Sequence, residues 1–398
     1  MEKTFGDKLA SSYFSHAEQK FPGIKASPSK LKTENLVTER VINVKRSALE
    51  SIQEFIRIIY SASKTEEYQE RIKQKDSEIQ KAGTPNDSVL MAYDFHLNSQ
   101  GAPKLIEVNT NASGYLISTL LYEVTETENE FGDPLRLLER SFMREWESLG
   151  ETGEPHVGII DETLLQQKML PEFYMYQDLF ESWGWKTRID DYQNFTFDGK
   201  NLLHKDGQKI SFVYNRLNDF YLARPESAAL RAAYLAKAVI MSPQPRDYQR
   251  LADKQRLVDW SHPDFWQRLA SPDEQEVINQ VLLKSFVPSD FESIDKLWSQ
   301  RKRFFFKPLR MYGGKSAFKG ANVSKPTFEK IFADNKSMIQ EFCAAPKFLD
   351  SKKVEWKYDL RFYVYRDQVH LAVGRAYQGQ VTNFSTLGGG FCRVRFID

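Results

Sequence analysis

Three polar side chains in the first third of the chain have the types and spacing of a cation site. Asp94 follows the apolar run 89–93, and Glu107 and Asn109 follow a second short apolar run. Turn-forming residues fill 98–103 between them, so a pair of adjacent strands is predicted. Side chains alternate along a strand, which puts Glu107 and Asn109 on one face near Asp94. Carboxylate and amide oxygens suit Mg²⁺ that carries substrate phosphates, although ordinary polar strand ends are the alternative for these residues alone.

A second candidate group could bind phosphate. Lys307 lies at the end of an aromatic run, and Gly313, Gly314, Lys315 and Ser316 follow shortly after it. Glycines let the backbone approach a ligand closely, and successive N–H groups with lysines can surround a phosphate. The spacing matches neither the P-loop nor the dinucleotide fingerprint, and a simple hairpin turn is the alternative.

Two further groups have types that suit a nucleotide or an acid. Gln340, Glu341 and Phe342 end an apolar strand, where the backbone could bind a purine and Glu341 could bind ribose hydroxyls. An ordinary edge-strand glutamate is the alternative. Arg361 and Arg375 lie on consecutive predicted strands, and the period of two favours one sheet face for both. Paired arginines match phosphate or carboxylate oxygens bidentately.

Helical and strand patterns supply the elements that must position these groups. From Thr38 to about Lys75, apolar residues between Val44 and Ile59 recur at helical spacing, and a charged stretch at 64–81 predicts a solvated helix. Residues 1–40 show no clear period. Helices are also predicted at 115–121, 134–149 and 228–240, and strands at 303–308, 337–342, 358–365, 368–376 and 391–398.

The middle of the chain alternates strand and helix, which predicts a small parallel α/β layer beginning at His156. Its strand 210–217 ends in polar residues, where open α/β sheets usually bind ligands. Tyr214 and Arg216 are therefore candidate substrate contacts.

Composition narrows the class of protein. The chain has 398 residues, of which 41% are hydrophobic and 27% charged, as in a soluble globular protein of two or three domains. A net charge of +1 gives no global field for nucleic acid, and no apolar run approaches bilayer length. Two cysteines without a metal or redox spacing fit a reducing compartment. We therefore expect a cytoplasmic protein without a nucleic-acid or membrane partner.

Taken in order, the motifs resemble those of the ATP-grasp family, in the sequence order of its circularly permuted, glutathionylspermidine-synthetase-like branch. The segments that carry the resemblance are Asp253-Lys254, Lys307-Pro308, Gly313-Gly314-Lys315, Gln340-Glu341, Asp359-Leu360-Arg361 and Arg375. The family's closing aspartate strand and Glu-x-Asn strand correspond to Asp94 and Glu107–Asn109, placed first here. Thr382 stands where related sequences often have an arginine, and Asn215 also replaces an arginine.

The resemblance implies an α/β (α+β) fold, a circularly permuted ATP-grasp with a small parallel pre-ATP-grasp-like α/β domain. Residues 1–150 would hold the N-terminal helices and the permuted metal-binding strands. Residues 151–245 would form the parallel α/β domain, and 246–398 the nucleotide-binding subdomains. On this hypothesis Asp94, Glu107 and Asn109 lie beside Lys307 and Arg375 in a single sheet that 391–398 closes.

The resemblance also implies a carboxylate–amine ligase that uses ATP and Mg²⁺ to form an amide or peptide bond through an acyl phosphate. The alternatives are an ATP-binding regulatory protein without turnover and a kinase acting on a hydroxyl. The partners would be small-molecule or peptide acids and amines, with a homodimer as one assembly. The implied metal ligands are Asp94, Glu107 and Asn109; the nucleotide contacts are Lys254, Lys307, Gly313–Ser316 and Gln340–Phe342; the catalytic groups are Arg361, Arg375 and Asn383.

Overall fold

The computed structural model has a mixed α and β fold. It describes residues 5–30, 35–72, 78–82, 84–148, 150, 153–309, 317–334 and 336–398. Strands β1 to β18 are, in order, Val37–Lys45, Met91–Leu97, Pro103–Asn109, His156–Asp161, Lys186–Asp191, Phe195–Phe197, Leu202–His204, Lys209–Ile210, Phe212–Asn215, Ile240–Ser242, Ser285–Phe286, Phe304–Pro308, Phe318–Lys319, Ser337–Glu341, Lys347–Leu349, Glu355–Tyr365, Gln368–Tyr377 and Gly390–Ile397.

Helices α1 to α13 are, in order, Phe5–Lys20, Arg46–Ser63, Glu66–Arg71, Glu78–Lys81, Tyr115–Val124, Pro134–Glu147, Leu170–Ser182, Ala228–Leu235, Pro245–Asp247, Gln255–Ser261, Pro272–Val281, Ile294–Gln300 and Lys325–Asp334. Within the described ranges, none of these helices is long and apolar enough to cross a lipid bilayer.

A seven-stranded sheet joins the two ends of the chain. Its strand order is β1-β18-β17-β16-β2-β3, and β15 pairs with β16. The predicted pairing of the two early strands is confirmed, with Asp94 opposite Glu107 across an antiparallel pair and a bulge directly after it. The β2–β3 hairpin completes the sheet by pairing with β16, so residues far apart in sequence become neighbours.

The long amphipathic helix α2 packs on this sheet. Its residues Ile52, Phe55, Ile56 and Ile59 are buried, at the i, i+3, i+4, i+7 spacing of one helix face. The ring of Phe55 meets that of Phe95 edge-on, with 6.4 Å between centroids. The helix thereby supports the strand that carries Asp94.

The N-terminal region differs from the expectation in two places. Helix α1 lies within the segment that showed no period, and β1, Val37–Lys45, occupies the first part of the stretch from Thr38 that was predicted to be helical. Strand β1 pairs in parallel with β18, about 350 residues away. Ile42 and Val44 alternate with exposed residues, which is a strand pattern, but nothing nearby in sequence reveals the partner. The helix predicted at 228–240 ends at Leu235, and β10 follows it.

The predicted parallel layer is confirmed as a four-stranded sheet in the order β10-β9-β4-β5. All three of its strand pairings are parallel. Helix α7 connects β4 to β5, because two neighbouring parallel strands need a crossover connection. Strands β6, β7 and β8 form a separate three-stranded antiparallel sheet.

A third sheet corrects one expectation about the site. Strands β11, β14, β12 and β13 form a four-stranded antiparallel sheet, which carries Lys307 and Gln340. Lys307 therefore does not share a sheet with Asp94, as the single-sheet hypothesis required. The cause is the pairing of β12 with β14, which builds a small sheet of its own next to the large one.

Candidate functional site

A cavity of about 730 Å³ lies between the seven-stranded sheet and the four-stranded antiparallel sheet. The large sheet contributes β2, β3, β16 and β17 to its wall, and the small sheet contributes β12, β13 and β14. The predicted site residues that line it are Asp94, Glu107, Asn109, Lys254, Lys307, Gln340, Glu341, Phe342, Arg361 and Arg375. Segments from both ends of the chain thus meet at one cavity.

Two arginines and two aspartates form a buried network in the large-sheet wall. Arg361 binds Asp94 bidentately, with both N–O distances at 2.7 Å. Arg375 binds Asp359 in the same way, at 2.7 Å for each bond, and also reaches Asp94 Oδ2 at 2.9 Å. The strand register dictates these pairs, because Arg361 is opposite Asp94 and Arg375 is opposite Asp359.

This network sets the charge state of Asp94. Burial by itself would raise the pKa of Asp94, but the charges and hydrogen bonds of Arg361 and Arg375 hold the pKa below its ordinary value. Asp94 therefore stays ionised and keeps both guanidinium groups oriented.

The two guanidinium groups differ in what they have left to offer. Nε and Nη2 of both are engaged with the aspartates, and the Arg361 guanidinium also interacts with the Tyr363 hydroxyl, whereas Nη1 of Arg375 makes no hydrogen bond to any residue in the described ranges. Both side chains line the cavity. Two fixed cations at a cavity, one of them with an unused N–H group, are suited to a phosphoryl group or a developing oxyanion.

Glu107 and Asn109 fit a divalent cation. In the part of the chain that the structure describes, the Glu107 carboxylate has no hydrogen bond and no ion pair. Asn109 donates from Nδ2 to Asp94 Oδ2 at 3.2 Å, and its carbonyl oxygen accepts no hydrogen bond from the residues that the structure describes. These two hard oxygen donors face a cavity large enough for a phosphate ligand and waters, which is how Mg²⁺ is usually held.

Asp94 fits the metal less directly than these two residues. Both of its carboxylate oxygens accept hydrogen bonds from guanidinium groups. In the described ranges no group of three His, Cys, Asp or Glu side chains could hold an ion. A bound Mg²⁺ would thus rely on Glu107, on the Asn109 amide and on phosphate oxygens, and a direct role for Asp94 stays a prediction.

Lys307, on the small sheet, contacts the large-sheet wall of the cavity. Its Nζ donates to the backbone oxygen of Ile106 at 3.2 Å and to Gln340 Oε1 at 3.0 Å. Gln340 in turn donates to the same Ile106 oxygen at 3.3 Å, so the two sheets are bridged. The pKa of Lys307 lies below its ordinary value, because burial and the charge of Lys254 lower it by more than Glu107 and Asp94 raise it. Lys307 forms no ion pair with a carboxylate of the described residues, which suits a cation that binds a phosphate.

The other predicted nucleotide contacts are placed unequally. Lys254 precedes helix α10 and lines the cavity with Phe342 and Glu341. Glu341 Oε2 also accepts from the backbone N–H of Lys284 at 3.2 Å. Gly313, Gly314, Lys315 and Ser316 lie outside the described residues.

Three predicted residues are not part of the cavity wall. Arg216 is buried and donates to Ser113 Oγ at 2.6 Å and to the Tyr214 hydroxyl at 3.3 Å. Asn383 uses its amide group within its own loop, donating to Gln378 O and accepting from the backbone N–H of Thr386. Substrate contact by Arg216 and Tyr214, and catalysis by Asn383, stay predictions.

The cavity also contains residues that were not among the predicted site residues. Asp359 binds Arg375, and Thr382 Oγ1 donates to Asp359 Oδ2 at 2.5 Å. Asp359 belongs to the Asp359-Leu360-Arg361 segment that carries the family resemblance, but no role was predicted for it. Lys319 lies over the ring of Phe342, 4.4 Å from its centroid. Only the pairing of β13 with β12 brings Lys319 to the site, so no local signal reveals it.

The same overall fold occurs in a solved structure. It is that of a glutathione synthetase-like effector from Globodera pallida in its apo form. The match covers 99% of this chain and 98% of that chain with a TM-score of 0.58. The two sequences are 10% identical, so the likeness shows a common fold and nothing about activity.

A second solved structure, of a candidate gamma-glutamylcysteine synthetase from Methylobacillus flagellatus, covers 85% of this chain and 84% of its own. Its TM-score is 0.47 at 10% identity, and no conclusion here depends on it. Comparison with protein-family models and with curated proteins found no match.

Proposed function

We propose that this chain is an ATP- and Mg²⁺-dependent ligase that joins a carboxylate to an amine through an acyl phosphate. We further propose that its architecture is a circularly permuted ATP-grasp, with domains at 1–150, 151–245 and 246–398. One observation carries the proposal: oxygen donors on one sheet and lysines on another meet at a single cavity. Glu107 and Asp94 are close enough to Lys307 to influence its pKa, although about 200 residues separate them.

The charges in the cavity wall fit a polyanion. Lys307 and Lys254 would bind phosphate oxygens from the small-sheet side. Glu107 and Asn109 would hold Mg²⁺, which neutralises phosphate charge when bound. A triphosphate in the cavity would thus have lysines on one side and the metal-binding oxygens on the other.

The proposed reaction has two steps. A carboxylate oxygen of the substrate attacks the γ-phosphorus of ATP, ADP leaves, and an acyl phosphate forms. An amine then attacks the acyl carbon, phosphate leaves, and the amine loses a proton to give the amide. The Arg361 guanidinium and Nη1 of Arg375 would stabilise the transferring phosphoryl group and then the tetrahedral oxyanion. Such chemistry needs position and charge compensation and no covalent nucleophile on the protein.

The test is ADP formation by the purified chain with Mg²⁺ and a panel of amino acids, short peptides and polyamines. A ligase gives ADP only when an acid and an amine are both present, and an amide product by mass spectrometry. A stable phosphorylated hydroxyl without need of an amine would instead indicate a kinase. ATP binding without turnover on any pair would indicate a regulatory protein.

Glu107→Gln tests the metal-binding assignment. The loss of one anionic metal ligand should lower ADP formation about 100-fold, because transition-state charge is then poorly compensated. The melting temperature should hardly change, since Glu107 has no hydrogen bond to lose in the described ranges. Glu54→Gln, on the exposed face of α2, is the matched control and should keep full turnover. Full activity of Glu107→Gln would reject the assignment.

A further inference from the structure

The segment after β17, residues 378–389, is unlike the rest of the cavity wall. It contains no charged residue, in a chain of which 27% of residues are charged. Gln380, Val381, Thr382 and Phe384 from this segment line the cavity. This part of the wall therefore meets a ligand without offering it a charge of its own.

The polar groups that fix this segment are already engaged. Thr382 Oγ1 donates to Asp359. The neighbouring cation Lys357 donates from Nζ to the backbone oxygen of Gly379 at 2.5 Å. The Asn383 amide donates to Gln378 O at 2.9 Å and to Val381 O at 3.1 Å. The side chains of this segment left to contact a ligand are the apolar Val381 and Phe384 and the uncharged Gln380.

Val381 and Phe384 remain 37% and 36% exposed, which is high for large apolar side chains on a cavity wall. The Phe384 ring packs against Phe391, with 4.9 Å between centroids, and Phe391 is buried in the core. One side of the Phe384 ring therefore packs on the core, and the remaining surface is exposed at the cavity. An apolar surface of this kind lowers its free energy when a ligand covers it.

The apolar surface lies next to the arginine network. Thr382 shares the Asp359 carboxylate with Arg375, and Val381 is adjacent to Thr382 in the chain. A carboxylate bound at Nη1 of Arg375 would place the group it carries beside Val381 and Phe384. In this arrangement the arginines would bind the reacting carboxylate, and residues 378–389 would contact the group attached to it.

We propose that Val381 and Phe384 select a substrate acid whose group next to the reacting carboxylate is uncharged and apolar. This inference rests on the proposed ligase function and names the substrate class of that site. It predicts that a peptide ending in a large apolar residue binds better than one ending in an acidic residue.

The test is calorimetric binding of the dipeptides Gly-Phe and Gly-Glu to the full chain, with Mg²⁺ and a non-hydrolysable ATP analogue present. Gly-Phe should bind about tenfold more tightly, because one apolar group in a fitting pocket discriminates by about that factor. Equal affinities, tighter binding of Gly-Glu, or no saturable binding of either dipeptide would overturn the proposal.

Three variants sharpen the test. Phe384→Ala should bring the ratio of the two affinities close to one, and Val381→Arg should reverse it by adding a cation. Leu387→Ala is the control, because Leu387 belongs to the same segment, is 76% exposed and is not among the residues that line the cavity. It should keep the ratio of the unaltered chain; the same ratio in Phe384→Ala would contradict the proposal.

Binding and turnover separate the two proposals. Amine-dependent ADP formation without any preference for Gly-Phe would leave the ligase function standing and reject the apolar selectivity. A preference that Phe384→Ala removes, in a chain that never turns over ATP, would reject the ligase function and keep the selectivity.

Discussion

Arg375 and Arg216 are both buried arginines close to the hairpin of β2 and β3, but their surroundings differ. Arg375 is held by the carboxylates of Asp359 and Asp94 and lines the large cavity. Arg216 is held by the hydroxyls of Ser113 and Tyr214, with the Tyr214 ring 5.3 Å from its guanidinium carbon. The first arginine has an N–H group available at a cavity, whereas the second is enclosed by protein.

The pKa values of the acids near the two arginines are shifted in opposite directions. Burial raises the pKa of Asp161, near Arg216, to about 7. Asp94, although also buried, has its pKa lowered by two guanidinium groups in contact with it. The comparison teaches that burial does not decide a group's role; direct ion pairing and access to the cavity do.

The largest expected effect comes from the same substitution at both arginines. Arg375→Lys keeps the charge but cannot bind Asp359 bidentately and also offer an N–H to an oxyanion, so ADP formation should fall about 100-fold or more. Arg216→Lys should mainly lower thermal stability and leave turnover within a few-fold. A loss of turnover in Arg216→Lys equal to that in Arg375→Lys would show that Arg216 contacts substrate after all.

Substitution of Asp94, the carboxylate that Arg361 and Arg375 share, should have the next largest effect, in this case on stability. Asp94→Asn leaves Arg361 without a buried counter-charge and leaves Arg375 with Asp359 alone, which should lower the free energy of unfolding by about 3–5 kcal/mol. Chemical denaturation measures this change. Glu292→Gln, at an exposed pair with Lys296, is the control and should change stability little. If both variants are equally stable, the arginine network does not depend on Asp94.

The pH dependence of stability should separate the two regions. The folded-state pKa of Asp161 is raised from 3.8 to about 7, so its contribution is full below pH 3.8 and is lost as pH rises through 7. The decline is about 1.4 kcal/mol per pH unit in that window. Asp94 has the opposite sign, because stability from its lowered pKa is present above its ordinary pKa and is lost in stronger acid.

Chemical denaturation of Asp161→Asn between pH 4 and 8 tests whether Asp161 causes the loss of stability as pH rises. The variant should lose less stability than the unaltered chain over this range. Parallel curves for the two proteins would mean that Asp161 is not responsible for the decline.

The smallest effect is expected at the edge of the arginine network. Thr382→Val removes one hydrogen bond to Asp359, and Arg375 still holds both oxygens of that carboxylate. The free energy of unfolding should fall by about 1.5 kcal/mol, and turnover should drop only a few-fold. A loss comparable to that of Arg375→Lys would place Thr382 among the residues that act on substrate.

Much of the local structure could be predicted from the sequence. The hairpin of β2 and β3, the parallel layer beginning at His156 and the strands around Arg361 and Arg375 all have short-range signals in apolar alternation and turn residues. Strand β1 and helix α1 could not be predicted, because their stability comes from partners distant in sequence. The strand that carries Lys307 could be predicted, but the sheet to which it belongs could not.

The sequence by itself determined which side chains are available and which neighbours on a strand share a face, because these depend on backbone geometry over a few residues. Only the tertiary structure decided that Arg361 binds Asp94, which is 267 positions away, and that Lys307 faces them from a second sheet. It also decided that Arg216 is enclosed and that Val381 and Phe384 face the cavity. Such choices depend on which sheet edges pair and pack, and the energy of that packing is not encoded in any one segment.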